Sequence, residues 1–298
     1  MCSSDLRELR LRGMLVLAEA QLAVGDFAGV EASLERGRPL AAQPVDGWRR
    51  LFLLVEGRRK AGAIRQALDA ARELRGLTTN EVLAARRPAA NAILAGLLST
   101  NALDESLKLW DENLGVGLAP GVRREAVLRG AETLAAAGRS LQAQERLATW
   151  LNANKADAEA DGIRVSLGQL LLRTHFSVTN DPARVFAADQ LALLSQAAGL
   201  FDQVLTNRAA TPSLQGPAWL GRGWCRWREY EAGIQPSNRL AEARAAFARA
   251  AEILPWPGYE AAVATHKLGE CLWIEGQWRP ALDRFITILS NRSEEHTS

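Results

Sequence analysis

The sequence predicts an all-α chain, a row of about seven helix pairs with no convincing strand. Three observations lead there. Ala and Leu dominate while β-branched and aromatic residues are sparse, the aromatics at 6%, a balance that favours helices over strands. Apolar residues recur at helical spacing and are broken at intervals by single glycines. The chain of 298 residues, 48% hydrophobic and 23% charged, is long enough for a large core, and no run of 18 apolar residues offers a membrane span.

The spacing is clearest in LGECLWIEGQWRPALDRF, Leu268 to Phe285. Gly269 is small, so a second helix can approach the first. Gly276 falls where an interhelix turn needs positive φ, which is cheap only for glycine. Ala281 is the small partner on the second helix, and Leu272, Trp278 and Phe285 fill the space between pairs. This arrangement resembles the tetratricopeptide repeat, a helix-turn-helix of about 34 residues. The resemblance covers essentially 7–291, strongly at 214–291, fairly at 7–40, 119–152 and 160–206, and weakly at 45–115. It implies a right-handed α-solenoid of about seven tetratricopeptide-like hairpins.

In chain order, the first copy carries Ala18, Gly25, Phe27 and Leu34, and Trp48 lies 34 residues after Met14, in register. The second, from Trp48, has Phe52 where a small residue is expected. The third starts at Pro88, suited to the first helical position, with its second helix at 102–114 around Trp110. GVGLAPG at 115–121 follows a helix rather than a strand, so it reads as a loop between repeats and not a phosphate cradle. The fourth copy has Ala131, Leu134, Gly138, Ala143 and Leu147. The fifth has Leu167-Gly168 and Leu171, an insertion around THFSVTNDPARVF, then a helix through Ala197, Phe201 and Leu205. In the sixth, Leu220-Gly221 and Trp224 head a helix, EAGIQPSN lengthens the turn with Ser237 or Asn238 as the expected cap, and Ala243, Phe247 and Ala250 follow.

The termini stand apart. RSEEHTS at 292–298 resembles a translated sequencing adapter, and MCSSDL at 1–6 resembles the reverse strand of the same adapter family. Both are expected to be foreign to the protein, leaving 7–155 as degenerate N-terminal repeats and 156–291 as C-terminal repeats with insertions, from a longer reading frame. Neither end looks like a polar cap, so the end repeats are expected to fray or associate. Without those segments the net charge is +4, too weak for a dedicated nucleic-acid surface. Cys225 and Cys271 make no disulfide framework or CxxC and read as buried thiols. Arg far outnumbers Lys, which suggests a bacterial origin, with periplasm or cell envelope and cytoplasm both open.

Catalytic signals are missing: no HExxH, GxSxG or Walker A loop. His175 and His266 lie far apart and lack metal partners. No cofactor, metal or catalytic residue is expected, and the chain is read as a non-enzyme. The Arg doublets 49–50, 58–59, 86–87 and 123–124 read as exposed helix faces rather than an RNA ridge. Six of the nine tryptophans lie in 219–278. Trp224 and Trp278 fall at packing positions, but Trp273 falls where the resemblance implies a concave face. Arg173, Arg222, Arg226, His266 and Glu270 map to that face too, as does Gln169. Aromatic and Arg side chains are the commonest interface anchors, so Arg173, Arg222, Arg226, His266, Glu270 and Trp273 are the candidate peptide groove. The clamp that chaperone-tail binders of this family use is not matched. The expected function is a protein-interaction scaffold binding a protein or peptide, in cell-envelope assembly or export. The alternative is the sensor module of a transcription regulator or signalling enzyme.

Overall fold

The computed structural model describes residues 3–154, 157, 160–177 and 186–293, and the side chains of 5–154, 157, 160–177 and 186–290. Among them are fourteen α-helices and no strand. The chain divides into two units, Met1–Arg139 and Ser140–Ser298.

The first unit holds α1 (Ser3–Val24), α2 (Phe27–Gly37), α3 (Pro44–Lys60), α4 (Ile64–Leu77), α5 (Arg87–Leu98), α6 (Leu103–Glu112) and α7 (Pro120–Ala136). The second holds α8 (Ser140–Ala153), α9 (Asp161–Ser177), α10 (Ala188–Thr206), α11 (Pro212–Glu231), α12 (Pro236–Ile253), α13 (Tyr259–Ile274) and α14 (Trp278–Ser293). Within each unit every helix packs on its sequence neighbours, and alternate helices also touch: α1 with α3, α9 with α11, α11 with α13. That is the contact pattern of stacked helical hairpins, in which each pair buries its apolar side against the next.

Local chemistry sets the helix ends. Gly25, Gly62, Gly138, Gly233 and Gly276 all have φ between +74° and +80°. Each time, the residue after the glycine donates its N–H to the carbonyl five residues before it: Asp26 to Gln21, Ala63 to Arg58, Arg139 to Leu134, Ile234 to Glu229, Gln277 to Leu272, at 2.9–3.0 Å. This closure satisfies helix-end carbonyls and needs a left-handed residue in the middle. Proline opens α3, α5, α7, α11 and α12 within the first two positions, where its missing N–H costs nothing.

Two expectations change. The residue before α12 is Gln235, and Pro236 begins the helix, so Ser237 and Asn238 lie inside its first turn rather than capping it. Trp278 does not fill a space between repeats: it is 56% exposed, because the described elements place no helix over that side of α14. The part of the expected insertion at 178–185 lies outside the described residues.

The second unit's core rests on three rings. Phe201 and Phe247 are fully buried. A Cβ on Gly168 would come within 2.7 Å of the Phe201 ring, and one on Gly221 within 2.3 Å. Phe201 of α10 therefore sits between two glycines, one from α9 and one from α11. Phe247 of α12 meets Gly223 at 2.6 Å, and Phe285 of α14 meets Gly269 at 2.7 Å. The equivalent glycines of the three hairpins are thus Gly168, Gly223 and Gly269. In α11 the hairpin register runs two residues later than Leu220-Gly221 implies.

Candidate functional site

That register decides which side chains α11 presents to each side. Two residues turn a helix by about 200°, so Arg222 and Arg226 lie roughly opposite Trp224 and Arg228.

Arg222 and Arg226 enter an ion cluster with α10 and α12. Arg222 Nε lies 2.8 Å from Asp202 Oδ1, Arg226 Nε 2.9 Å from Glu242 Oε2, and Arg226 Nη1 2.8 Å from Glu229 Oε2. Arg239 closes it, with Nε 2.9 Å from Glu229 and Nη1 2.7 Å from Glu242. Three guanidinium groups face three carboxylates, and Glu229 is only 8% exposed. Burial works against the Arg226 charge, but the hydrogen bond and charge of Glu229, with Glu242 and Asp202, outweigh it and hold the guanidinium above its ordinary pKa. Both arginines are thereby committed to partners within the chain.

The opposite side of α11 is aromatic. Phe176 of α9 meets Trp224 edge-on at 5.4 Å, and Trp224 meets Phe247 at 5.9 Å. Lys267 of α13 places Nζ 4.8 Å from the Trp224 ring and 4.4 Å from the Trp227 ring, a cation between two indole faces, and Nζ also lies 2.5 Å from Glu270 Oε2. Arg228 sits 5.5 Å from the Phe176 ring centre, donates to His175 Nε2 at 3.2 Å and pairs with Glu231. His175 is fully buried; its burial, and then the Arg228 charge, lower its pKa.

A cleft of about 630 Å³ opens beside this band, lined by Trp224, Trp256, Tyr259, Val263, His266 and Lys267 among others. Its wall is largely apolar, and Tyr259 is 84% exposed. His266, Glu270 and Trp273 follow at i, i+4 and i+7 along one face of α13. His266 lines the cleft with its ring 5.5 Å from Phe285 and Nδ1 3.9 Å from Glu270. Trp273 is half exposed and stands edge-on to Trp278 at 4.5 Å. Of the six candidates, the structure groups these three on α13 and groups Arg222 with Arg226 in the ion cluster; Arg173 is exposed on α9, in neither group. Lys267, Trp256 and Tyr259 were not among the candidates. The tryptophan cluster pointed to their neighbourhood, and Lys267 is one of only four lysines.

Elsewhere, the doublet arginines are largely engaged: Arg49 with Glu19, Arg50 with Glu73, Arg58 with Glu31, Arg59 with Glu56 and Arg87 with Glu112, while Arg86 stacks over Trp48. Cys225 and Cys271 are buried and free; burial raises the Cys225 thiol and pushes Cys271 up to about 12. No cluster of three metal-ligating side chains exists among the described residues, and no described helix is long and apolar enough to cross a membrane.

No family model matches the chain, and no curated protein matches it. Among solved structures it is similar to the apo form of RapI, at 8% identity over 97% of this chain and 99% of that one, with a TM-score of 0.47. It is also similar to a tetratricopeptide repeat protein from Parabacteroides merdae, at 15% identity over 89% and 99%, TM-score 0.41. MamA matches at 15% identity over 66% and 92%, TM-score 0.41. These likenesses concern the fold, an all-α stack of helical hairpins.

Proposed function

We propose that this chain is a non-catalytic interaction scaffold that binds an extended peptide or protein segment along the first helices of its C-terminal hairpins. One observation carries the reading: the aromatic cleft at Trp224, Trp256 and Tyr259, with the Lys267 ammonium at its wall. An exposed tyrosine beside tryptophans is the composition of an interface core, and it is costly to leave in water without use. His266 extends the surface along α13 towards Glu270 and Trp273, and Arg173 belongs to the same proposed groove on α9. Arg222 and Arg226 act behind it, holding α10, α11 and α12 together. A role in cell-envelope assembly or export is the setting in which we place such a scaffold.

The test is selection from a random peptide library, with affinity read by tryptophan fluorescence. Tyr259→Ala and Trp256→Ala, both at exposed positions, are each expected to weaken the selected peptides about tenfold or more, a loss of roughly 1.4 kcal/mol. Peptides that bind both variants as tightly as the parent would place the site elsewhere.

A further inference from the structure

We propose that the first unit holds a binding site of its own, a cleft between α5, α6 and α7 that takes a primary carboxamide, the group carried by asparagine and glutamine. The cleft measures about 480 Å³ and is lined by the C-terminal ends of α5 and α7 and by Leu103 and Trp110 of α6. It belongs to the first unit alone, since all its lining residues lie within 96–137. Trp110 and Thr133 are its buried residues, while Gly96, Ala136 and Ala137 are exposed. Those three are small, and their missing bulk leaves the space.

The observation that points to a ligand is an unpaired donor. Trp110 is only 4% exposed, and its Nε1 has no hydrogen-bond acceptor among the described residues. A buried indole N–H usually finds a partner; in the second unit Trp227 Nε1 donates to Glu231 Oε1 at 2.9 Å. Left alone, such a donor has lost its water and gained nothing in exchange. An acceptor seated in the cleft restores the pair.

The other polar groups of the cleft decide the class. Thr133 and Ser99 each donate their hydroxyl hydrogen to a helix carbonyl, of Arg129 and of Gly96, both at 2.8 Å. A hydroxyl oxygen still accepts after donating, so the site offers one donor, Trp110 Nε1, and two acceptors. Thr100, exposed at the edge, serves as either. Arg129 and Glu132 pair with each other at 2.8 Å, both more than half exposed, so the rim presents no free charge of either sign. A primary carboxamide is the complement: its carbonyl accepts from the indole and its two N–H groups donate to the hydroxyl oxygens. A carboxylate has no hydrogen for Thr133 or Ser99 and finds Arg129 already engaged. An ammonium has no acceptor for Trp110. Leu103 and the Trp110 ring give the methylene stem of an amide side chain an apolar wall.

Titration of the full chain, followed by proton–nitrogen correlation spectra, tests this at the indole itself. Acetyl-Gly-Gln-Gly-N-methylamide is expected to move the Trp110 Nε1–H signal downfield and saturably, and its glutamate and methionine counterparts to leave it in place. Free L-glutamine is run beside the peptide: whichever saturates the site names the source, a protein segment or the free amino acid, and either supports the proposal. Thr133→Val, close in shape but without the acceptor, is expected to raise the dissociation constant at least about fivefold. Gly96→Leu, at a position where a Cβ meets nothing within 4 Å, is expected to fill the cleft and abolish binding with an unchanged circular dichroism spectrum. An indole signal unmoved by both amides, movement as large with the glutamate peptide, or binding indifferent to both substitutions would each overturn the proposal.

Discussion

In the first unit helices meet over leucine, valine and alanine; in the second they meet over phenylalanine rings seated on glycines. The first core is built from residues such as Leu34, Leu51, Ala67, Leu74, Leu94 and Leu109, and polar bridges tie its hairpins together. Arg75, Asn91, Glu112 and Asn113 form one such network, with Asn91 and Asn113 each 2% exposed and Glu112 accepting from Arg75 at 2.9 Å. In the second unit Phe201, Phe247 and Phe285 each fill a gap that a side chain on the facing glycine would close. Aliphatic packing tolerates exchange of similar volumes, whereas a ring against a backbone does not. The pairing of glycine with phenylalanine is therefore the more readable signal; in the first unit, where it is missing among the described glycines, Phe52 stands where the second copy would have a small residue and stacks on Trp48 at 5.4 Å and 10°, within the stretch 45–115 where the repeat pattern is weakest.

The largest expected effect is at Phe201. Phe201→Ala removes a ring that touches two helices and should destabilise the second unit by about 3–5 kcal/mol. Chemical denaturation followed by hydrogen exchange should show the loss in α9–α12 with α1–α7 protected as before; a loss spread evenly over both units would erase the contrast.

Next come the glycines. Gly221→Ala puts a Cβ 2.3 Å from the Phe201 ring and should cost about 1–3 kcal/mol by overpacking. Gly57→Ala in the first unit meets only a methyl of Val30, at 3.0 Å, and should cost less than half as much. Equal midpoint shifts for the two variants would show that ring-on-glycine packing is no stricter than aliphatic packing.

The smallest effects separate the units by pH. The His175 pKa is depressed in the fold, so the folded state binds its proton less readily than the unfolded chain. The resulting stability is complete above the ordinary value of 6.5 and declines as pH falls below it. Burial alone would raise the Glu112 carboxyl, but Arg75 and Asn91 overcome it and hold the group below its ordinary 4.5. Its contribution is present above that value and is lost as pH falls through the lower folded pKa. Exchange protection in α9 and α11 should therefore weaken first on acidification, and that around α5 and α6 only at lower pH. His175→Gln should abolish the first step and Glu112→Gln the second; simultaneous weakening in both parent units would refute the ordering.

Much of this architecture was legible in advance because its determinants are local. Gly25, Gly138 and Gly276 mark turns through positive φ, and Pro88 marks a helix start through a missing N–H. Gly62 and Gly233 close the same turn, but their flanking repeats are degenerate or lengthened. The α11 register was less legible. GRG at 221–223 offers two glycines two residues apart, and local sequence does not tell which one a distant ring selects. That ambiguity separated Arg222 and Arg226 from His266, Glu270 and Trp273, since a shift of two residues carries a side chain more than half way round a helix.

By itself the sequence determined the all-helical class, the hairpin turns, and the segment rich in tryptophan, because propensity, glycine geometry and composition act over a few residues. Only the tertiary structure decided that Phe201 serves two glycines at once, that Lys267 lies between Trp224 and Trp227, that Arg222 and Arg226 face carboxylates of α10 and α12, and that Trp278 is left exposed. Each of these depends on which helix lies against which, a contact between residues far apart in the chain, and the packing of whole helices settles it.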